Sequence, residues 1–159
     1  KNGERLHNTA VVVQQGQLLG AYRKTHLLAG ESVFSPGTDY PIFEVQGIRF
    51  GIAICNDLNS PERAKAVADQ GATLLVCPCN NMMGLGYAKH WENKHNESRS
   101  QRAIESKLWL VSSDVTGTFG NRAANGPTAI ISPNGSVINQ VSRQTEGMLF
   151  HDFETLKSP

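Results

Sequence analysis

The sequence predicts an α/β domain built on a largely mixed or parallel sheet. Three observations carry that prediction. Apolar, β-branched runs recur at residues 9–14, 48–54, 73–77 and 108–112. Helical stretches at residues 61–70 and 87–107 separate the last three of these runs. Hairpins lie on both sides of the alternation, and strand–helix–strand order implies parallel neighbours with helices on at least one face. A chain of 159 residues is long enough for one core, and 18% charged residues is ordinary for a globular domain.

In chain order, residues 9–14 (TAVVVQ) read as a strand, residues 15–17 as a turn and residues 18–22 as the returning strand. Residues 23–41 hold two Gly and two Pro without sustained periodicity and read as an ordered loop, a length that usually marks function. Strands follow at 42–46 and 48–54, joined through Gly47. Ser60, Pro61 and Glu62 form a helix start: a capping hydroxyl, a Pro in the first position, an acid in the first turn. That helix, 61–70, places Ala64, Val67 and Ala68 on one face and closes at Gly71; its small residues suit core packing or a subunit contact. A buried strand at 73–77 leads into a loop at 78–86. Residues 87–107 read as one long polar helix with Trp91, His95, Ala103 and Ile104 turned inward. After a strand at 108–112 come a Gly/Asn-rich loop at 116–126, a hairpin of 127–131 with 137–141, a last strand at 147–153 and a fraying tail. The whole, residues 1–159, reads as a single domain.

Function classes narrow next. Fifteen basic and fourteen acidic side chains leave a net charge of +1, which gives no electrostatic footprint for nucleic acid or membrane. The apolar runs are too short for a bilayer-spanning helix, and the opening KNGERLHN is not expected to be a signal peptide. Three Cys, an odd number at low density, argue against a disulfide framework and for a reducing cytoplasm. The first residue is Lys rather than Met, so an upstream segment is expected.

The chemistry centres on Cys55, at the sharp turn between the apolar run 48–54 and the helix start at Ser60. A thiol there projects from the sheet edge near backbone N–H groups, which suits a nucleophile; the competing reading is a buried structural Cys. Lys24 and Glu31 share the loop 23–41. A Cys, a Lys and a Glu on adjacent loops make an acyl-transfer site: the ammonium favours thiolate and oxyanion, and the carboxylate carries protons. His26 offers a rival Cys–His dyad. Cys77, Cys79, His90 and His95 match common zinc spacings poorly, so neither metal nor cofactor is expected.

Four separated motifs then resemble one family. Tyr22 to Leu27 (YRKTHL) with Gly30-Glu31 and Phe34-Ser35-Pro36-Gly37, then GIAICND ending at Asp57 with Pro61-Glu62, then RAIE ending at Glu105, then TAIISPNG ending at Gly135, look like the nitrilase/amidase (carbon–nitrogen hydrolase) superfamily in order. The resemblance implies an α-β-β-α sandwich and hydrolysis of an amide or carbamoyl C–N bond through a cysteine thioester. It implies Cys55 as nucleophile, Lys24 and the backbone N–H of Asn56 as oxyanion donors, and Glu31 as the second active-site glutamate. It implies that Asn80 and Asn81 border a pocket for a small amide or carbamoyl substrate and water, that Arg102 and Glu105 support the site, and that the protein is a homo-oligomer, with the helix 61–70 as candidate contact. The family's general-base glutamate and first strands lie upstream of the matched segments, and Glu4 stands too close to the hairpin to replace that base. The chain is therefore expected to be the C-terminal portion of such a domain, or a non-catalytic assembly subunit on the same fold.

Overall fold

The computed structural model describes residues 5–153; Glu4 and the tail beyond Phe153 lie outside the described residues. A six-stranded sheet is its frame, in the order β11-β10-β7-β5-β4-β3. Its members are β3 (Phe43–Val45), β4 (Ile48–Ile52), β5 (Leu74–Pro78), β7 (Trp109–Ser113), β10 (Ala129–Ile131) and β11 (Val137–Gln140). The three central strands, β4, β5 and β7, are parallel, and the hairpins β3–β4 and β10–β11 extend the sheet antiparallel on each side.

Helices α1 (Pro61–Asp69) and α3 (Lys94–Ser106) cover one face. Ala64, Val67 and Ala103 pack there on Leu75, Cys77, Leu110, Ala129 and Ile131, the same-facing positions of neighbouring strands. The approach is close enough that a Cβ on Gly51 would meet the Val67 methyls at 2.6 Å. On the opposite face the hairpin of β1 (Thr9–Gln14) and β2 (Gln17–Arg23) lays Ala10, Val12 and Tyr22 over Phe43, Phe50, Ile52 and Val76. Three layers of an α-β-β-α sandwich are thus present among the described residues. Val11, Val13 and Leu18 lie exposed on the far side of the hairpin.

Several expectations need correction. The helix expected over 87–107 is two, α2 (Leu85–Trp91) and α3, separated at Glu92 and Asn93. Arg143 donates to Glu92 Oε1 and to Asn93 Oδ1 at this break, and the polar run there offers no apolar stripe to hold a continuous helix. Ile104 points outward rather than inward. The loop expected over 116–126 contains a hairpin, β8 (Gly117–Phe119) with β9 (Arg122–Ala124), and β6 (Met83–Gly84) pairs with β9. Residues 147–153 form no strand; they cross the second face of the sheet as irregular chain, with His151 and Phe153 against Trp109. Ala64 is 1% exposed and packs with Val67 and Ala68 in the core, so the small-residue face of α1 serves core packing within this chain.

Candidate active site

Strand β4 ends by delivering Cys55 into a 3-10 turn (Cys55–Asn59) that runs into α1. Cys55 has φ +47°, a left-handed conformation that costs a non-glycine residue about 1–3 kcal/mol. The strain is held by Asp57, which is fully buried. Its carboxylate accepts from the Ile54 N–H at 2.8 Å, the His26 N–H at 2.7 Å, the Tyr22 hydroxyl at 2.7 Å and the Thr25 hydroxyl at 3.2 Å. Arg63 adds an ion pair at 3.8 Å. One carboxylate therefore ties the cysteine turn to the end of β2 and to the loop that carries Lys24.

Lys24 is 2% exposed, and its Nζ donates to Glu31 Oε2 at 2.7 Å. The backbone sets it: the Lys24 N–H donates to the Asn8 carbonyl and its carbonyl accepts from the Gly37 N–H, each at 2.8 Å. A Cβ on Gly37 would lie 2.3 Å from the Arg23 carbonyl oxygen, so the loop closes only with glycine there. Glu31 also accepts from the Leu28 N–H and from Asn8 Nδ2. Burial alone would raise its carboxyl pKa, but the Leu28 N–H, Lys24 and Asn8 together hold it below the ordinary glutamate range.

This sets a pH prediction. A depressed folded pKa stabilises above the unfolded value, about 4.3, and the benefit fades as pH falls through the folded one. Glu31→Gln is expected to cost about 1–3 kcal/mol at neutral pH, with the gap to wild type closing in strong acid. Thermal unfolding of both proteins at neutral and acidic pH checks it; an equal gap at both would sever the stabilisation from the Glu31 charge.

Cys55, Lys24 and Glu31 line one cavity, with Asn80 at its rim. The Cys55 thiol is pushed well up, first by the neighbouring Cys79 thiol and then by burial, while the Lys24 ammonium pulls it back. Its Sγ lies 3.5 Å from Asn81 Oδ1. Asn81 is held by Asp114 through its backbone N–H and Nδ2, and Asp114 pairs with the buried Arg99 at 2.8 Å. Cys79 Sγ in turn lies 3.4 Å from Cys77 Sγ and 3.5 Å from Arg99.

The remaining sequence candidates fall as follows. Asn56 follows Cys55 as the first turn opens, where backbone N–H groups have no helical partner; its side chain bonds the His26 carbonyl and Asn59. His26 contributes backbone groups to the site, and its side chain is exposed. Asn80 Oδ1 accepts from the Met82 N–H as a turn former. Arg102 and Glu105 pair with each other on α3, and neither lines the cavities beside Cys55. Sequence reasoning missed Asp57, Asp114 and Arg99. Asp57 was within reach: a carboxylate two residues after a turn cysteine can accept its N–H groups. Asp114 and Arg99 carry no local signal.

Comparison with known proteins adds the following. The sequence model described as carbon-nitrogen hydrolase matches residues 1–155. A nitrilase of Pyrococcus abyssi is 32% identical over 148 residues, covering 92% of this chain and 53% of that protein. An (R)-stereoselective amidase of Pseudomonas sp. is 31% identical over 134 residues, covering 84% of this chain and 44% of that protein. Among solved structures, a member of branch 10 of the nitrilase superfamily from Saccharomyces cerevisiae superposes with TM-score 0.74 at 22% identity, covering 89% of this chain and 51% of the other. A mutant of the amidase from Nesterenkonia sp. AN1 in complex with butyramide gives TM-score 0.75 at 21% identity, covering 86% and 51%. The chain spans about half the length of the curated relatives it matches.

Proposed function

The chain belongs to the carbon–nitrogen hydrolase family, and on that premise we propose that it carries the nucleophile half of an amidase-like site acting on a small amide or carbamoyl compound. The observation that supports this most is the single cavity shared by Cys55, Lys24 and Glu31, with the lysine buried in an ion pair and the cysteine on a strained turn.

In this reading Cys55 Sγ attacks the substrate carbonyl carbon. The carbonyl oxygen takes up negative charge and is stabilised by the Lys24 ammonium and the Asn56 N–H. Collapse expels ammonia or amine, which leaves protonated, and a thioester remains on Cys55. Water attacks that thioester through a second oxyanion, releasing the carboxylic acid and restoring the thiol. The Cys79 thiol and burial disfavour the thiolate, so attack needs a proton acceptor. Glu31 is a weak one, because its hydrogen bonds hold it ionised and paired with Lys24. A further carboxylate beside Cys55 is expected from the part of the fold that the relatives have and this chain does not span.

The test is acyl trapping. The complete natural protein containing this chain is mixed with a small amide, quenched in acid and weighed. A mass gain equal to the acyl group, confined to the Cys55 peptide and released as hydroxamate by hydroxylamine, is the expected result. Turnover with the acyl group on another residue would overturn the assignment.

A further inference from the structure

Cys55 lines two cavities, one that carries charged side chains and one that is more apolar. The first, about 600 Å³, holds the charged groups Lys24, Glu31 and Arg122. The second, about 260 Å³, lies between the Cys55–Asn59 turn and helices α2 and α3. Leu28, Leu58, Met83, Tyr87 and Trp91 form its walls, and Asn56 reaches it beside Cys55. A carbonyl carbon at Cys55 therefore has a space with charged groups on one side and a more apolar one on the other.

The charge on the apolar side is spent. Among the described residues, Arg99 is the one lysine, arginine or carboxylate residue in that wall, and it is 3% exposed. One of its terminal nitrogens donates to Asp114 and Cys79, the other to Asn96 and the Pro127 carbonyl. A substrate carboxylate would have to draw Arg99 away from Asp114, whose side chain is fully buried, and would leave that carboxylate unpaired. A substrate ammonium would meet no carboxylate among the described residues of this wall. His95, packed against Trp91 at a tilt with ring centroids 5.4 Å apart, is held toward its neutral form by burial and by Arg99. The volume is below the range of about 300–1,000 Å³ that suits drug-sized ligands, so the occupant is a smaller group.

We propose that this cavity receives the acyl side chain of the substrate and selects an uncharged alkyl or aryl group about the size of pentyl or benzyl, with the carbonyl at Cys55 and the leaving amine turned to the cavity with the charged groups. This rests on the assignment of Cys55 as nucleophile. A bare acetyl group would leave the Trp91 and Met83 walls unfilled, and a carboxylate- or ammonium-bearing chain would be desolvated without a partner.

The test is binding without chemistry. In the Cys55→Ala form of the complete protein, calorimetry compares hexanamide and phenylacetamide with acetamide, succinamate and 4-aminobutanamide. The two larger neutral amides are expected to bind at least about ten-fold more tightly than the other three, since filling an apolar pocket discriminates on that scale. Adding Trp91→Ala is expected to weaken hexanamide and phenylacetamide about ten-fold and to change acetamide little. Succinamate, 4-aminobutanamide or acetamide binding as tightly as hexanamide would overturn the inference, as would no measurable binding of the larger amides. Acyl trapping at Cys55 in the unmutated protein reads separately, so loss of the size and charge ranking with trapping intact refutes only the acyl pocket.

Discussion

Cys55→Ala in the complete protein is expected to lower amine release by at least about 10⁴-fold, the scale seen when a covalent nucleophile is removed. The reason is specific to this turn. Lys24 and the Asn56 N–H can polarise a carbonyl only if an attacking atom stands beside them, and the sulfur is the group that the strained backbone delivers there. The substitution is also structurally mild. Alanine meets the same left-handed penalty at φ +47° as cysteine does, and Cys55 is only half-buried, so folding stability is expected to change by less than about 1.5 kcal/mol. Cys55→Ser separates nucleophile from shape: it keeps the side-chain outline and still loses most of the rate. Steady-state ammonia release and thermal melts on the three proteins settle the matter. Turnover near the wild-type rate in Cys55→Ala would remove the thiol from the mechanism.

The second large effect is on stability. Asp57→Ala is expected to cost about 3–5 kcal/mol, enough to unfold much of the population of an ordinary domain. Its fully buried carboxylate is the shared acceptor for two backbone N–H groups and two hydroxyls. Deleting it strands those donors and leaves Arg63 without its buried partner. Asp57→Asn keeps the volume but turns one oxygen into a donor facing donors, so it is expected to recover only part of the loss. Urea unfolding followed by circular dichroism measures both. A cost below about 1 kcal/mol for the alanine would mean that water enters and satisfies the same groups.

Much of this site was legible in the sequence because its signals are local. The apolar run before Cys55 and the Ser60-Pro61-Glu62 helix start fix a strand–turn–helix, and the Gly- and Pro-punctuated loop fixes the segment of Lys24 and Glu31. The hairpins and the three parallel strands follow from period and turn residues for the same reason. What failed depends on distant pairing. Strands β8 and β9 have three residues each and take their order from Met83, some forty positions upstream, so composition alone reads as loop. The split between α2 and α3 involves Arg143, far along the chain. Asp114 reaches Asn81 and Arg99 only after the sheet has assembled, and no spacing announces it. The segment 147–153 has the short apolar run of a strand, Met148 to Phe150, yet it packs through Trp109 instead of joining a ladder.

The sharing of one carboxylate by the Cys55 turn and the Lys24 loop also bears on how such a site would fail. Two segments anchored independently could loosen one at a time, leaving a nucleophile without its oxyanion partner. Here the amides of Ile54 and His26 lean on the same pair of oxygens. A fluctuation that frees Asp57 loosens both segments at once, while Lys24 keeps its own backbone bonds to Asn8 and Gly37. The nucleophile turn and the start of the lysine loop are thus coupled through a single side chain.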